Sequence, residues 1–199
     1  MMTTPPAALL KASARLNLDE FASQFAAAWS QLDTRFLKVE CWQEYKELEA
    51  AESQNAYNHG DIASARDSME HEAESDRPLY ADARKRGVDY ARIRLLKLPL
   101  THYLEYEMTA YSVRARMGEN IEVVELPPTA IVPSADYFDF LLFDWHTALI
   151  HDYGSNDIGV QSGGWITHDP DAISTLEEKA LALRASAIPL REFLSTNGI

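Results

Sequence analysis

Between Tyr137 and Tyr153 two apolar runs meet at Asp144: Phe138-Asp139-Phe140-Leu141-Leu142-Phe143 before it and Ala148-Leu149-Ile150 after it. Alternate residues of a strand point to opposite faces, so a run that is apolar at both parities cannot rest on a half-solvated surface. The segment predicts a β-hairpin at the centre of a sheet covered on both faces. Asp139 breaks the first run and shares the direction of Leu141 and Phe143. An unpaired carboxylate in such a place is costly, so a partner is required. Arg92 and Arg94, on a neighbouring predicted strand, are the expected cations.

The rest of the chain supplies the covering helices. Asn17 and Glu20 have the spacing of a capping box, and Phe21, Phe25, Trp29 and Leu32 follow at helical intervals. Thr34 to Trp42 alternates as a strand with Leu37, Val39 and Cys41 toward the core. Residues 43–87 are rich in Ala and Glu, broken at His59-Gly60-Asp61 and again near Arg77, where Pro78 sets a boundary. Arg84-Lys85-Arg86 before Gly87 reads as a helix C-terminus. Val88 to Leu98 is a strand. Thr101 caps a helix that Gly118 ends, Asn120 to Leu126 is a short strand, and Ile158 to Ile166 is a Gly-rich strand or loop. Asp169-Pro170 opens a last helix. Residues 1–16, with Pro5-Pro6, are expected to be a flexible arm ahead of one domain over 17–199. The fold class is α/β (α+β), with a single mixed β-sheet flanked by helices.

A net charge of −13 argues against direct nucleic-acid binding, whose energy comes from Lys and Arg. No apolar run reaches the ~20 residues of a membrane span, and the N-terminus has no charged region before an apolar core. One cysteine, Cys41, forbids an intrachain disulfide and suits the cytoplasm. No Walker loop, dinucleotide glycine pattern, zincin pair or Gly-x-Ser-x-Gly elbow is present, so no cofactor, metal or catalytic residue is assigned. His146 and His151, five apart, fall on opposite faces of a regular strand. The stripe Tyr103, Glu107, Ala110, Arg114 on the helix after Thr101 reads as a solvated face or, alternatively, as one that turns Tyr103 and Glu107 toward a pocket.

Several short motifs, in order, resemble a family of bacterial domains of unknown function common in high-GC Gram-positive organisms. They are Arg92-Ile93-Arg94-Leu95-Leu96, Leu100-Thr101-His102-Tyr103-Leu104, Gly118-Glu119-Asn120-Ile121, Asp139-Phe140-Leu141-Leu142-Phe143-Asp144 and Asp169-Pro170. The chain departs from that family at Trp145, where a second aspartate is usual, and at Leu149 to Tyr153, which lacks the family's arginine. The resemblance implies genes that sit beside helix-turn-helix regulators. The element order is also similar to phospholipase D-like half-domains used as sensors. The catalytic form of that fold needs His-x-Lys, and none of the six histidines here has Lys two residues on.

Two functions are therefore expected. One is a non-enzymatic regulatory protein that partners a DNA-binding regulator. The other is a small-molecule sensor or enzyme with a pocket at the hairpin end of the sheet, lined by Arg94, Tyr103, Glu107 and Asp144. There Arg94 would clamp an anion, Tyr103 would stack or donate a hydrogen bond, and the carboxylates would orient polar groups.

Overall fold

The computed structural model describes residues 5–46, 51–154 and 159–199. In chain order the elements are α1 (Ala7–Lys11), β1 (Ala14–Leu16), α2 (Leu18–Gln31), β2 (Arg35–Glu40), α3 (Ala51–Asn58), α4 (Ile62–Glu74), α5 (Arg77–Arg86), β3 (Asp89–Leu96) and α6 (His102–Met117). They continue as β4 (Ile121–Glu125), β5 (Phe140–Phe143), β6 (Thr147–Asp152), β7 (Gly163–Thr167), α7 (Pro170–Ala185), β8 (Ile188–Pro189) and α8 (Leu190–Asn197). All strands lie in one mixed sheet of order β1-β7-β6-β5-β2-β3-β4-β8. The fold is α/β, as the pattern of the sequence predicts.

Strands β2, β3 and β4 are parallel neighbours, which requires helical crossovers; α3 to α5 and then α6 supply them. The predicted hairpin is β5–β6, and β5 pairs with β2 at the middle of the sheet. Cap chemistry sets the helix ends. Asn17 and Glu20 form a reciprocal capping box, Thr101 and Asp169 cap α6 and α7, and Gly87 and Gly118 end α5 and α6 in the left-handed region.

One face of the sheet is largely apolar: Leu37, Val39, Ile93, Leu95, Phe140, Leu142 and Ile150 pack on α1 and on Ile173, Leu176 and Ala180 of α7, with Arg35–Glu177, Arg184–Asp89 and Arg184–Glu122 ion pairs toward the amino ends of β2, β3 and β4. The opposite face is covered by α2 on one side and by α4, α6 and α8 on the other.

Three features go beyond the pattern of the sequence. Residues 7–16 include α1 and β1: Leu9 and Leu16 are buried, and β1 pairs with β7 as an edge strand. The sheet closes its other edge with β8, a two-residue strand too short to carry a periodic signal. Among the described residues Asp139 has no arginine partner, which corrects the expected pairing with Arg92 or Arg94. It accepts from the Cys41 N–H at 2.7 Å, the Tyr153 hydroxyl at 2.7 Å and the Tyr45 hydroxyl, so three neutral donors satisfy it.

Candidate functional site

Three transverse rows cross the polar face of β3, β2, β5 and β6. The first holds Tyr90, Phe36, Phe143 and Thr147, and the second Arg92, Lys38, Leu141 and Leu149. The third, at the carboxyl ends of β2 and β3, begins with Arg94 and Glu40. It continues to Asp139 and His151, which are joined by a backbone hydrogen bond of 3.0 Å. Along the strands the face thus passes from aromatic, through half-cationic, to fully ionisable.

Above the second and third rows lies a cleft of about 600 Å³. Lys38, Glu40 and Arg92 form its floor, and α6 contributes Tyr103, Glu107, Tyr111 and Arg114 as one wall. Phe21 and Ala22 of α2 form the other wall, with His151 and Tyr153 at the far side. The cleft sits at the carboxyl ends of parallel strands, where open α/β sheets hold ligands. This corrects the expected position. The hairpin turn is at the opposite end of β5 and β6, so the cavity is not at the hairpin end of the sheet.

Charge pairing beneath the cleft is dense. Arg94, with no solvent exposure, donates through Nε to Glu107 Oε2 at 2.5 Å and through its terminal nitrogens to the Leu95 and Trp42 carbonyls. Arg92 donates Nε to Glu119 at 2.6 Å and Nη1 to Glu40 at 2.7 Å. Lys38 Nζ lies 2.8 Å from the other oxygen of Glu40. Burial alone would raise the Glu40 pKa, but Arg92, Lys38 and Arg94 outweigh it and hold the carboxyl well below its usual value. Tyr111 Oη is 2.7 Å from Glu40 and 3.0 Å from Glu107, and burial followed by those two carboxylates pushes its pKa well up. Its single proton serves one glutamate at a time. Burial lowers the His151 pKa to about 4, so this ring is neutral at pH 7.

Of the four residues expected from sequence, three come together. Tyr103 donates to Glu107 at 3.0 Å, Glu107 pairs with Arg94, and Tyr103 and Glu107 line the cleft while Arg94 lies under it. Their helix stripe, read in one alternative as solvated, faces the sheet. Asp144 is elsewhere. At the start of β2 its carboxylate accepts from the Asp33, Thr34 and Arg35 N–H groups and from the Thr34 hydroxyl. Arg35 and Glu40 are the two ends of one strand, so the separation is roughly 17 Å at ~3.3 Å per residue.

Lys38, Glu40, Arg92, Tyr111, Arg114 and His151 were not singled out as cleft residues. A signal for three of them existed. Lys38 and Glu40 share a parity, as do Arg92 and Arg94, and pairing the two strands in register sets Glu40 beside Arg94 and diagonal to Arg92, with Lys38 across from Arg92. His151 has strand parity toward this face, whereas His146 is exposed in the hairpin turn rather than on a strand.

Among the described residues no cluster of three His, Cys, Asp or Glu side chains is arranged to hold a metal ion. Among them, too, no helix is long and apolar enough to cross a membrane. The family model for a domain of unknown function, DUF6879, matches residues 23–195. The chain belongs to the DUF6879 family. Comparison with curated proteins finds no match. The matched span runs from α2 into α8 and takes in the floor and the α6 wall of the cleft, while Phe21 and Ala22 of the other wall lie just ahead of it.

Proposed function

We propose that this DUF6879 domain is a cytoplasmic small-molecule sensor in a bacterial regulatory system, and that it acts through a protein partner rather than by catalysis. The observation that carries the proposal is the asymmetry of the sheet. One face packs as a largely apolar core with ion pairs only toward one end, and the other spends Lys38, Glu40, Arg92, Arg94 and Glu107 on the floor and wall of a cleft. Buried polar groups of this number are expensive unless every one is partnered. Here they shape the base of an open cavity of the size that holds a metabolite. The walls come from separate elements, α2 and α6, so a ligand that touches both would bias their spacing.

The likeness to phospholipase D-like sensor half-domains supports sensing without phosphodiester chemistry, because His-x-Lys is missing. A partner of the helix-turn-helix class fits the net charge of −13, since an acidic protein complements a basic DNA-binding face.

The test is a thermal-shift screen of a chemically diverse metabolite library against the wild-type chain and Ala110→Trp. Ala110 lines the cleft on α6, and an indole there fills part of it. Compounds that raise the Tm of the wild type should leave the variant unmoved, with its own Tm close to the wild-type value. Compounds that stabilise both proteins equally, or an absence of stabilising compounds, would overturn the proposal.

A further inference from the structure

Donors and acceptors around the cleft are not in balance. Glu40 accepts from Lys38 and Arg92, Glu107 accepts from Arg94 and Tyr103, and the single Tyr111 proton goes to one or the other. Asp76 pairs with Arg114, Glu72 accepts from the Ser53 hydroxyl at 3.0 Å, and Asp19 is exposed in the first turn of α2. The inward carboxylates are thus engaged.

The cations retain capacity. Arg92 uses Nε and Nη1, and among the described residues its Nη2 has no protein acceptor. Arg114 uses Nη1, for Asp76 and the Tyr80 hydroxyl, and its Nε and Nη2 are uncommitted among the described residues. Lys38 has three N–H groups and among the described residues pairs with Glu40 alone, with about a quarter of its side chain exposed. All three residues line the same cleft. Across it stands an aromatic wall. Phe21 lies 4.9 Å from the His151 ring, and His151 stacks on Tyr153 at 5.9 Å with planes 9° apart. The neutral imidazole adds no charge to that wall.

We infer that the ligand is a small planar organic anion. Its carboxylate or phosphate meets the spare N–H groups of Lys38, Arg92 and Arg114, and its ring lies against Phe21, His151 and Tyr153. The inference rests on the cleft being a ligand site, and it adds the chemical class. Guanidinium and ammonium donors that are already fixed by neighbouring carboxylates are preorganised for an incoming oxyanion, so little side-chain entropy is lost on binding. The ring wall selects organic anions over inorganic ones through offset stacking.

The experiment uses the full chain and ligand-observed NMR at millimolar probe. Benzoate and phenyl phosphate test the two oxyanions, benzamide and benzylamine the neutral and cationic rings, and inorganic phosphate the charge without a ring. Benzoate or phenyl phosphate should bind at least tenfold more tightly than benzamide, benzylamine or inorganic phosphate. Lys38→Met and Arg114→Met should each weaken that binding tenfold or more while leaving the far-UV circular dichroism unchanged. Ala110→Trp should abolish it. Benzamide or benzylamine binding as tightly as benzoate, and lost in Ala110→Trp, would overturn the anion assignment and leave the cleft as a ligand site. Benzoate binding that survives both Met substitutions would overturn it as well. Probe binding unaffected by Ala110→Trp would remove the cleft itself.

Discussion

Asp144 stitches the start of β2 to the end of β5, and truncating it should be costly. Its carboxylate accepts four hydrogen bonds, from the Asp33 N–H at 2.9 Å, the Thr34 N–H at 2.8 Å, the Thr34 hydroxyl at 2.7 Å and the Arg35 N–H at 2.8 Å. Its own N–H donates to the Arg35 carbonyl at 2.8 Å. Asp144→Ala leaves three backbone N–H groups without that acceptor, at about 1 kcal/mol each. Asp144 also has φ of 48°, and alanine in the left-handed region costs about 1 kcal/mol more. The expected loss is about 4 kcal/mol, a large part of the roughly 5–15 kcal/mol that holds a typical domain together. Asp144→Asn keeps one acceptor oxygen and tolerates positive φ, so its cost should be about 1–2 kcal/mol.

Urea unfolding followed by tryptophan fluorescence measures both variants, and the m-value should stay constant if only stability changes. The charge carries its own check. Burial acts to raise the Asp144 pKa, but the Thr34 hydroxyl and the three backbone donors prevail and hold it below its usual value. Its contribution is therefore complete above the unfolded carboxyl value of ~3.9 and is lost as pH falls through the lower folded value. Asp144→Asn should remove that part of the acid sensitivity. An Asp144→Ala variant within about 1 kcal/mol of wild type would refute the stitch, and so would one that changed ligand binding while stability held.

Two further perturbations probe the cleft and its floor. Glu107→Leu strands the fully buried Arg94 and should cost about 3–5 kcal/mol, whereas adding Arg94→Met should recover most of the loss in the same urea assay. His151 is neutral when folded, with a pKa of about 4 against ~6.5 unfolded, so its contribution is complete above pH ~6.5 and falls away between there and pH 4. His151→Asn should flatten the stability profile in that window, and NMR titration of the wild type should find no imidazole transition at this residue near pH 6.5.

Local signals were the legible part of this fold. Asn17 with Glu20, Thr101, Asp169, Gly87 and Gly118 each act through neighbours a few residues away, and each helix ends where its cap chemistry requires. The hairpin was legible because apolar residues at both parities leave a strand only one place, inside the sheet. Partner identity was not legible. Asp139 needed donors, but its phenols come from Tyr45 and Tyr153, which share no period with it. Parity also placed Leu37, Val39 and Cys41 on a buried face without revealing that Phe36 and Glu40, on the other face, are buried too. The second covering layer comes from α2 and α6, whose positions depend on the crossovers rather than on β2. The cleft itself arises where those two helices fail to meet, a tertiary property that no local window contains.

The sheet solves the same packing problem twice, in opposite ways. On the α7 side, Leu37, Val39, Ile93 and Leu95 exclude water with apolar contacts alone. On the α6 side, the alternate positions of the same two strands carry Lys38, Glu40, Arg92 and Arg94. Ion pairs withdrawn from water add little net stability over well-packed hydrophobes, because desolvation offsets most of their attraction. Stability alone therefore gives no reason for the second solution, since the first is available one residue away on each strand. A layer of fixed charge beneath an open cleft does something an apolar layer cannot. It holds donors at set positions, with their pKa values already displaced, before any ligand arrives. Were the Arg94→Met and Glu107→Leu pair to match the wild type in stability yet lose anion binding, the two roles of that floor would be separated: the fold does not need its charge, and the cleft does.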